Sequence, residues 1–417
     1  MTKPGDQAGP LAGMKVLELS HVMAGPTCGR LLADLGADVI KLERPGGEDS
    51  RRMAPPWQGD EAAGYLMLNR NKRGICVDLK KPGGLKVLLD LAARSDVLLE
   101  NFRKGTLDRL GCGYEELRKT NPGLIYCEIS GFGRTGPYAN RGGFDLVAQA
   151  MSGILSVTGE GPGRPPVKAG VPVGDVGAGM LAAIGILAAH AERQATGLGQ
   201  RVDTSLLEGC LSFMAWPAAT FFANGMDTVP MGTAHPLDAP YQAFESSDGW
   251  LIVGAANQAN WLRLLDVIGR QELAEDPRFI DNPDRVENLQ ALIEVLEPVF
   301  KERGTADWVA RLDAGGVPCG PINRTSDMLQ DPHVAARQMI CDVEHPVLGN
   351  VKTMGSPIKF SNHDDPALTA APLLGEHTRE VLAELDYSAE TIDGLLRDEA
   401  IFATDTTDPV VTLAQSN

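Results

Sequence analysis

The sequence predicts an α/β protein, with a parallel-sheet domain followed by a smaller α+β domain. Two observations predict the sheet. Short apolar strands alternate with helix-length segments up to residue 205, a βαβ pattern that implies parallel strands and right-handed crossovers. Prolines stand near the starts of two intervening helices, at Pro26 and Pro82, where the missing N–H has no partner to lose. A third observation predicts the second domain. Beyond residue 220 the chain becomes turn-rich, then shows a hairpin and a run of helices.

Residues 14–43 read strand, helix, strand: MKVLELS, then GPTCGRLLADLGA closing near Gly36, then DVIKLE. The pattern repeats as ICVDL (75–79), PGGLKVLLDLAAR and DVLLE (96–100). GYEELRKTNP reads as a helix and LIYCEISGF as a strand. FDLVAQAMSGILS (144–156) has the apolar spacing of a mostly buried helix. TGEGPGRPP is loop, and GQRVDTSLLEGCLSF is a strand ending at Asp203, then a helix. Further on, ANGMDTVPMGTAHPLDAP reads as linker and loop. YQAFES and WLIVGA flank SDG, a hairpin signal. NQANWLRLLDVIG, 285–303 and 305–313 are helices, with Trp308 as a core anchor. GGVPCGPIN (315–323) is a return linker, PVLGNVKTMGSPIKF a strand pair, and GEHTREVLAELDY the last helix. The tail 405–417 is expected to fray.

Several strand ends carry polar residues: Arg44, then Asp78 and Lys80, then Asn101 and Arg103, with Arg109 just beyond, and Ser130. Open parallel sheets bind ligands past the carboxyl ends of their strands. Clustered cations there suggest an anionic, nucleotide-like ligand. No GxGxxG follows the first strand, which weakens a dinucleotide reading. At the end of the second strand Glu43 is followed at once by Arg44. An Arg there suits a ribose phosphate, as in NADP or coenzyme A, and a solvated strand-end Arg is the plain alternative.

The stretch PVKAGVPVGDVGAGM (166–180) holds one carboxylate, Asp175, among Gly174, Gly177 and Gly179. Glycine admits close backbone approach and positive φ. The uncharged MLAAIGILAAHA that follows reads as a buried helix. Asp175 is then either a helix cap, the commoner use of such a residue, or a catalytic carboxylate, with free N–H groups favouring its charged form.

The chain has 417 residues, 43% of them hydrophobic, and a net charge of −17. That length favours two domains. The charge argues against nucleic acid and anionic membranes as partners. Seven cysteines without a CxxC read as buried, reduced thiols, not as a disulfide frame or a zinc site. No signal peptide is visible and no apolar run of about eighteen residues is evident. A cytoplasmic protein is expected.

The segments MKVLELS-x-x-x-AGP, GADVIKLERPGG, LNRNKRGICVDLK, SDVLLENFRKG, LDRLG, NPGLIYCEISGFG, GFDLVAQAMSG, PVGDVGAGM, GQRVDTSLLE, GGVPCGPIN and PLLGEHT occur in this order. Together they resemble the class III coenzyme A transferases, which include formyl-CoA, carnitine and bile-acid CoA-transferases. The resemblance runs from about Leu11 to about Leu385. It implies an interlocked homodimer whose Rossmann-like large domain is built from both chain ends. The expected division is 1–205 for the first part of that domain, 206–230 as linker, 231–318 as the small α+β domain and 319–417 as the return. It also implies that Asp175 is the nucleophile. Coenzyme A, as acyl-CoA substrate, would be held by Arg44, by Val77, Asp78, Leu79 and Lys80, by Asn101, Phe102 and Arg103, by Arg109, and by Gly142, Gly143, Phe144 and Asp145. Met23 and Ala24 would flank the thioester, and a substrate loop would contain Gly232, Thr233, Ala234 and His235. The chain has Met23 where formyl-CoA transferase has Gln, and GTAHPLD where that enzyme has a glycine run. Both departures point away from oxalate or formyl substrates.

Moving coenzyme A between two acids through a mixed anhydride needs a poorly solvated carboxylate, nearby backbone donors and exclusion of water. No metal or redox cofactor is required. The related α-methylacyl-CoA racemase would need a His where this chain has Phe144; His190 and His235 are the nearest in sequence. A non-catalytic acyl-CoA-binding protein would not need Asp175. The segment APYQAFESSDGWLIVGAANQANW resembles succinate-using members, which favours succinyl-CoA as donor and a small acid as acceptor.

Overall fold

The structure is a computed structural model that describes residues 9–363 and 367–404. The tail 405–417 lies outside the described residues. The chain divides into two compact units. The larger comprises 1–154, 168–218 and 333–417; the smaller comprises 155–167 and 219–332. The smaller unit thus starts earlier and ends later than the expected 231–318, and it takes in the whole TGEGPGRPP loop.

The larger unit is built on strands β1 (Lys15–Leu19), β2 (Asp38–Glu43), β3 (Lys72–Val77), β4 (Val97–Glu100), β5 (Ile125–Ser130) and β6 (Arg201–Ser205). They run parallel in the order β3-β2-β1-β4-β5-β6, and Ile401–Phe402 adds an antiparallel edge to β3. The order reverses between β1 and β4. In a doubly wound sheet that reversal opens a crevice at the carboxyl ends, because the two crossovers leave on opposite faces.

Side chains alternate across the strands and so make two cores. Val16, Val97, Leu99, Ile125, Cys127 and Ile129 point to one face. There they meet helix α1 (Ala24–Asp34), through Cys28 and Leu32. Leu17, Leu19, Leu98 and Tyr126 point to the other, against Val87, Leu88 and Leu91 of α2 (Pro82–Arg94). Val381, Leu382 and Ile392 cover that second face too, so the chain's end returns to the first unit. The segment expected as the last helix gives Thr378–Glu384, and a further helix, Ala389–Arg397, follows it.

The segment 144–156 is not one buried helix. Helix α3 (Asp145–Ser152) ends at Gly153, whose φ of 94° is left-handed. Phe144, Leu146, Val147 and Met151 are exposed. Helix α4 (Val173–Thr196) buries Ala178, Ala182, Ile186 and Ala189 in the first core, while Met180 and Ile184 face outward. By length and composition alone this 24-residue helix could cross a membrane, as the core helix of a globular domain also could, and it packs in the first core. Helices α5 (Leu206–Phe213) and α6 (Ala215–Asn224), bent by 64°, pass the same test as a pair. Helix α6 buries none of its residues, and Phe222 is 85% exposed.

In the smaller unit β7 (Tyr241–Glu245) and β8 (Trp250–Gly254) form the expected antiparallel hairpin. The segment expected as a return linker adds a third strand, β9 (Cys319–Pro321), to β8. Trp308 is buried, and its indole N–H donates to the Phe300 carbonyl at 2.7 Å. Back in the larger unit, β10 (Ile340–His345) and β11 (Gly349–Met354) pair as a hairpin. Its first strand precedes the segment expected to hold both, because Pro346 to Leu348 form the turn.

Candidate active site

Asp175 is not the N-cap of α4. Pro172 caps the helix without a side-chain bond, and Asp175 stands in the first turn. The cap is supplied from α3. Asp145 Oδ1 accepts the backbone N–H of Gly174 at 2.7 Å and that of Asp175 at 3.3 Å. The free N–H groups therefore serve Asp145 and leave Asp175 poorly compensated. Burial, and then the Asp145 charge, push the Asp175 carboxyl up to about 6, opposite in direction to the stabilised charge expected from the helix end.

The glycines around Asp175 are helical, and none has positive φ. They permit close helix packing. A Cβ on Gly179 would lie 2.7 Å from the Ala24 carbonyl oxygen, and one on Gly174 would lie 2.9 Å from Cys210 Sγ. Side chains there would lift α4 away from α1 and α5.

Asp175 lines a cavity with His21, Val22, Met23, Ala24, Asn101, Gly143, Phe144 and Asp145. Ser130 at the end of β5, Gly131 after it, and Leu206 at the start of α5 complete part of its wall. The cavity sits where β1 and β4 part. Asn101, after β4, accepts the His21 N–H at 2.9 Å and donates to the His21 carbonyl at 2.8 Å. This pair of bonds locks the β1–α1 loop to the β4 end. Burial holds the His21 imidazole below its ordinary range.

The next residue, Val22, has φ of 65°, a left-handed conformation that a β-branched residue rarely adopts. Its N–H donates to Glu48 Oε2 at 3.1 Å. Glu48 is buried and also accepts Ser50 N–H at 2.8 Å. Lys41 lies 3.6 Å from Glu48, 3.2 Å from Glu18 and donates to the Ser20 carbonyl at 2.9 Å. Burial pushes Glu48 up, but Lys41 and the bonds from Ser50 and Val22 offset it, leaving the carboxyl below its ordinary range.

A second cavity of about 480 Å³ holds the predicted nucleotide contacts Arg44, Val77, Asp78, Leu79, Lys80, Phe102 and Arg109. His21 lines it as well as the Asp175 cavity, so that residue borders both. Glu43 is taken up by buried Arg51, at 2.7 and 2.8 Å. It is therefore not free for a ribose hydroxyl. Arg44 is 64% exposed and pairs with Asp49 at 2.5 Å. The predicted set is thus divided. Met23, Ala24, Asn101, Gly143, Phe144 and Asp145 lie with Asp175, not with the nucleotide residues. Arg103 and Gly142 line neither cavity; the Arg103 guanidinium lies beside Gly142.

The substrate-loop residues belong to the smaller unit. The Gly232 N–H donates to the Gly159 carbonyl at 2.9 Å. Thr233 Oγ1 accepts from Ala243 N–H at 3.0 Å. Ala234 N–H bonds the Met231 carbonyl. His235 stacks on Tyr241 at 5.3 Å and lies 3.1 Å from Asp238.

Sequence reasoning did not single out His21, Val22, Glu48 or Asp49. The signal for His21 was its place directly after the first strand, where ligands of open sheets bind. His190, by contrast, sits far along α4 beside Gln194.

Residues 11–378 match the CoA-transferase family III. The chain is 38% identical to the human succinyl-CoA:glutarate CoA-transferase, over 93% of this chain and 89% of that protein. It is 38% identical to the succinate–glutarate CoA-transferase of Agrobacterium fabrum, over 94% and 99%. The crystal structure of a CAIB/BAIF family protein from Brucella suis superposes with a TM-score of 0.83 at 42% identity, covering 91% of this chain and all of that one. A match across most of the chain, with relatives of this identity and length, identifies an enzyme: the chain belongs to the CoA-transferase family III.

Proposed function

We propose that the enzyme transfers coenzyme A from succinyl-CoA to a small mono- or dicarboxylic acid, with Asp175 as nucleophile. The observation that carries this reading is Asp175 itself: a half-buried carboxylate raised to about 6, in a cavity that shares His21 with the groove lined by Arg44 and Lys80. Such a group is ionised at pH 7 yet poorly solvated, which favours attack. The relatives named for succinyl-CoA and glutarate support the choice of substrates.

An Asp175 oxygen attacks the donor thioester carbonyl. The C–S bond breaks, and coenzyme A leaves as thiolate from a mixed anhydride. The thiolate attacks the aspartyl carbonyl, releasing the donor acid and leaving an aspartyl–CoA thioester. The acceptor carboxylate attacks that thioester, forms a second anhydride and frees the thiolate again. Thiolate attack on the acceptor carbonyl yields the new acyl-CoA and restores Asp175. We assign oxyanion stabilisation to the first N–H groups of α1, which lack carbonyl partners within their helix; Ala24 among them lines the Asp175 cavity.

We further propose an interlocked homodimer. The apolar side chains left exposed at Phe144, just before α3, and on α3, α4, α5 and α6 support it: Val147, Ile184, Phe213, Trp216 and Phe222. Large apolar side chains left exposed in such number suit a partner surface.

The test is chemical. Wild type with succinyl-CoA and hydroxylamine should yield a hydroxamate at residue 175. Asp175→Ala should lose transfer and keep coenzyme A affinity within a few-fold. Full transferase activity in Asp175→Ala would refute the mechanism.

A further inference from the structure

The Asp175 cavity owes one wall to four consecutive residues, His21 to Ala24. Their path depends on Val22 at φ of 65°. Valine in that region is opposed by its own Cβ branches, so the surroundings must hold it there. Three contacts hold the loop. Asn101 grips His21 on both backbone groups, and Lys41 grips the Ser20 carbonyl. At Val22 itself the contact is the Glu48 carboxylate, which accepts its N–H at 3.1 Å.

Glu48 is built in. It is buried, caps the short helix Asp49–Arg52 by accepting Ser50 N–H, and its own N–H donates to Glu43 Oε2 at 3.0 Å. It also lines the nucleotide groove, and Asp49 beside it pairs with Arg44. One carboxylate therefore joins the segment carrying Arg44 to the loop facing Asp175.

We propose that Glu48 is a positioning residue for the transfer reaction. By holding Val22 in its left-handed conformation it sets the direction of Met23 and Ala24, and so the backbone donors that face the thioester carbonyl attacked by Asp175. Glu48 itself touches no reacting atom. The inference rests on the assignment of Asp175 as nucleophile.

Removing the carboxylate leaves the Val22 N–H without its acceptor, and the loop relaxes towards negative φ. The donors then miss the oxyanion. Displacement of such groups by about 1 Å costs roughly 10²-fold in rate. Glycine adopts positive φ without penalty, so Val22→Gly should remove the need for Glu48.

The experiment is single-turnover formation of the residue-175 hydroxamate from succinyl-CoA, in wild type, Glu48→Ala, Val22→Gly and the double variant. Glu48→Ala should acylate roughly 10²-fold more slowly at saturating succinyl-CoA, with KM little changed. The double variant should recover about tenfold or more of that loss, because the two sites share one conformation. Glu48→Gln covers the case in which Glu48→Ala does not fold. It should lose several-fold when valine stands at position 22 and nothing further when combined with Val22→Gly. Equal acylation rates in wild type and the Glu48 variants would overturn the inference. So would a loss that Val22→Gly leaves unrelieved, since destabilisation of the fold alone would not be rescued at Val22. No hydroxamate at residue 175 in wild type would instead overturn the nucleophile assignment and leave a separate result about Asp175.

Discussion

Replacing Asp175 by Asn should stabilise the folded protein while abolishing its chemistry, and the gain should depend on pH. The carboxyl rises from an ordinary 3.8 to about 6. At ~1.36 kcal/mol per tenfold, this corresponds to about 3 kcal/mol against the charged form in the fold. Above pH 6 the group is charged in folded and unfolded chains alike, and the whole cost is present. Below about pH 4 it is protonated in both, and the cost disappears. Stability is therefore lost as pH rises through 6. Asp175→Asn removes the charge, so its gain should be about 3 kcal/mol at pH 7.5 and about half that at pH 5. The assay is the thermal midpoint of both proteins at the two pH values, at one protein concentration, since association shifts apparent stability. In parallel, kcat/KM of the wild type for the acyl-CoA should fall about tenfold per pH step below 6, as the nucleophile is protonated. An Asn variant no more stable than wild type at pH 7.5 would refute the argument that burial, with too few bonds to the carboxylate, raises Asp175. An equal gain at both pH values would do the same, and a flat rate profile from pH 5 to 8 would remove Asp175 from the rate law.

Arg44→Ala should weaken coenzyme A by about 1–2 kcal/mol, the scale of an exposed charged hydrogen bond, and dephospho-CoA much less; equal losses for the two ligands by calorimetry would show that Arg44 does not read the 3′-phosphate. Arg44→Lys should restore part of the loss, since it keeps the charge without the fork. Because Asp49 already occupies the Arg44 guanidinium, Asp49→Asn should tighten coenzyme A up to about tenfold, worth about 1.4 kcal/mol; unchanged or weaker binding would argue that the pair persists in the complex. Sedimentation should show a dimer with no folded monomer on dilution, and Trp216→Glu should disrupt it; a stable, active monomer would contradict the interlocked assembly.

Local chemistry in the chain was enough to locate the parallel-sheet region, the hairpin of the smaller unit and Asp175. Strand and helix periods are written in the order of apolar residues, and Pro82 marks its helix start to the residue. Boundaries set by partners were not legible. Cys319–Pro321 reads as a turn until β8 supplies hydrogen bonds to it. The strand Ile340–His345 becomes evident only once β11 pairs with it. The strand order, and with it the crevice between β1 and β4, depends on which edges meet after collapse. The environment of Asp175 was decided there as well. From the sequence a carboxylate near a helix start gains from free N–H groups. In the fold those groups belong to Asp145, 30 residues earlier on another helix, and Asp175 is left raised. His21 and Glu48 joined the site for the same reason: short loops at neighbouring strand ends, distant in sequence, share one hydrogen-bond network only when the sheet is assembled. Residue type and spacing singled out Asp175, while its solvation, and the conformation of the loop lining its cavity, arose from contacts across the sheet.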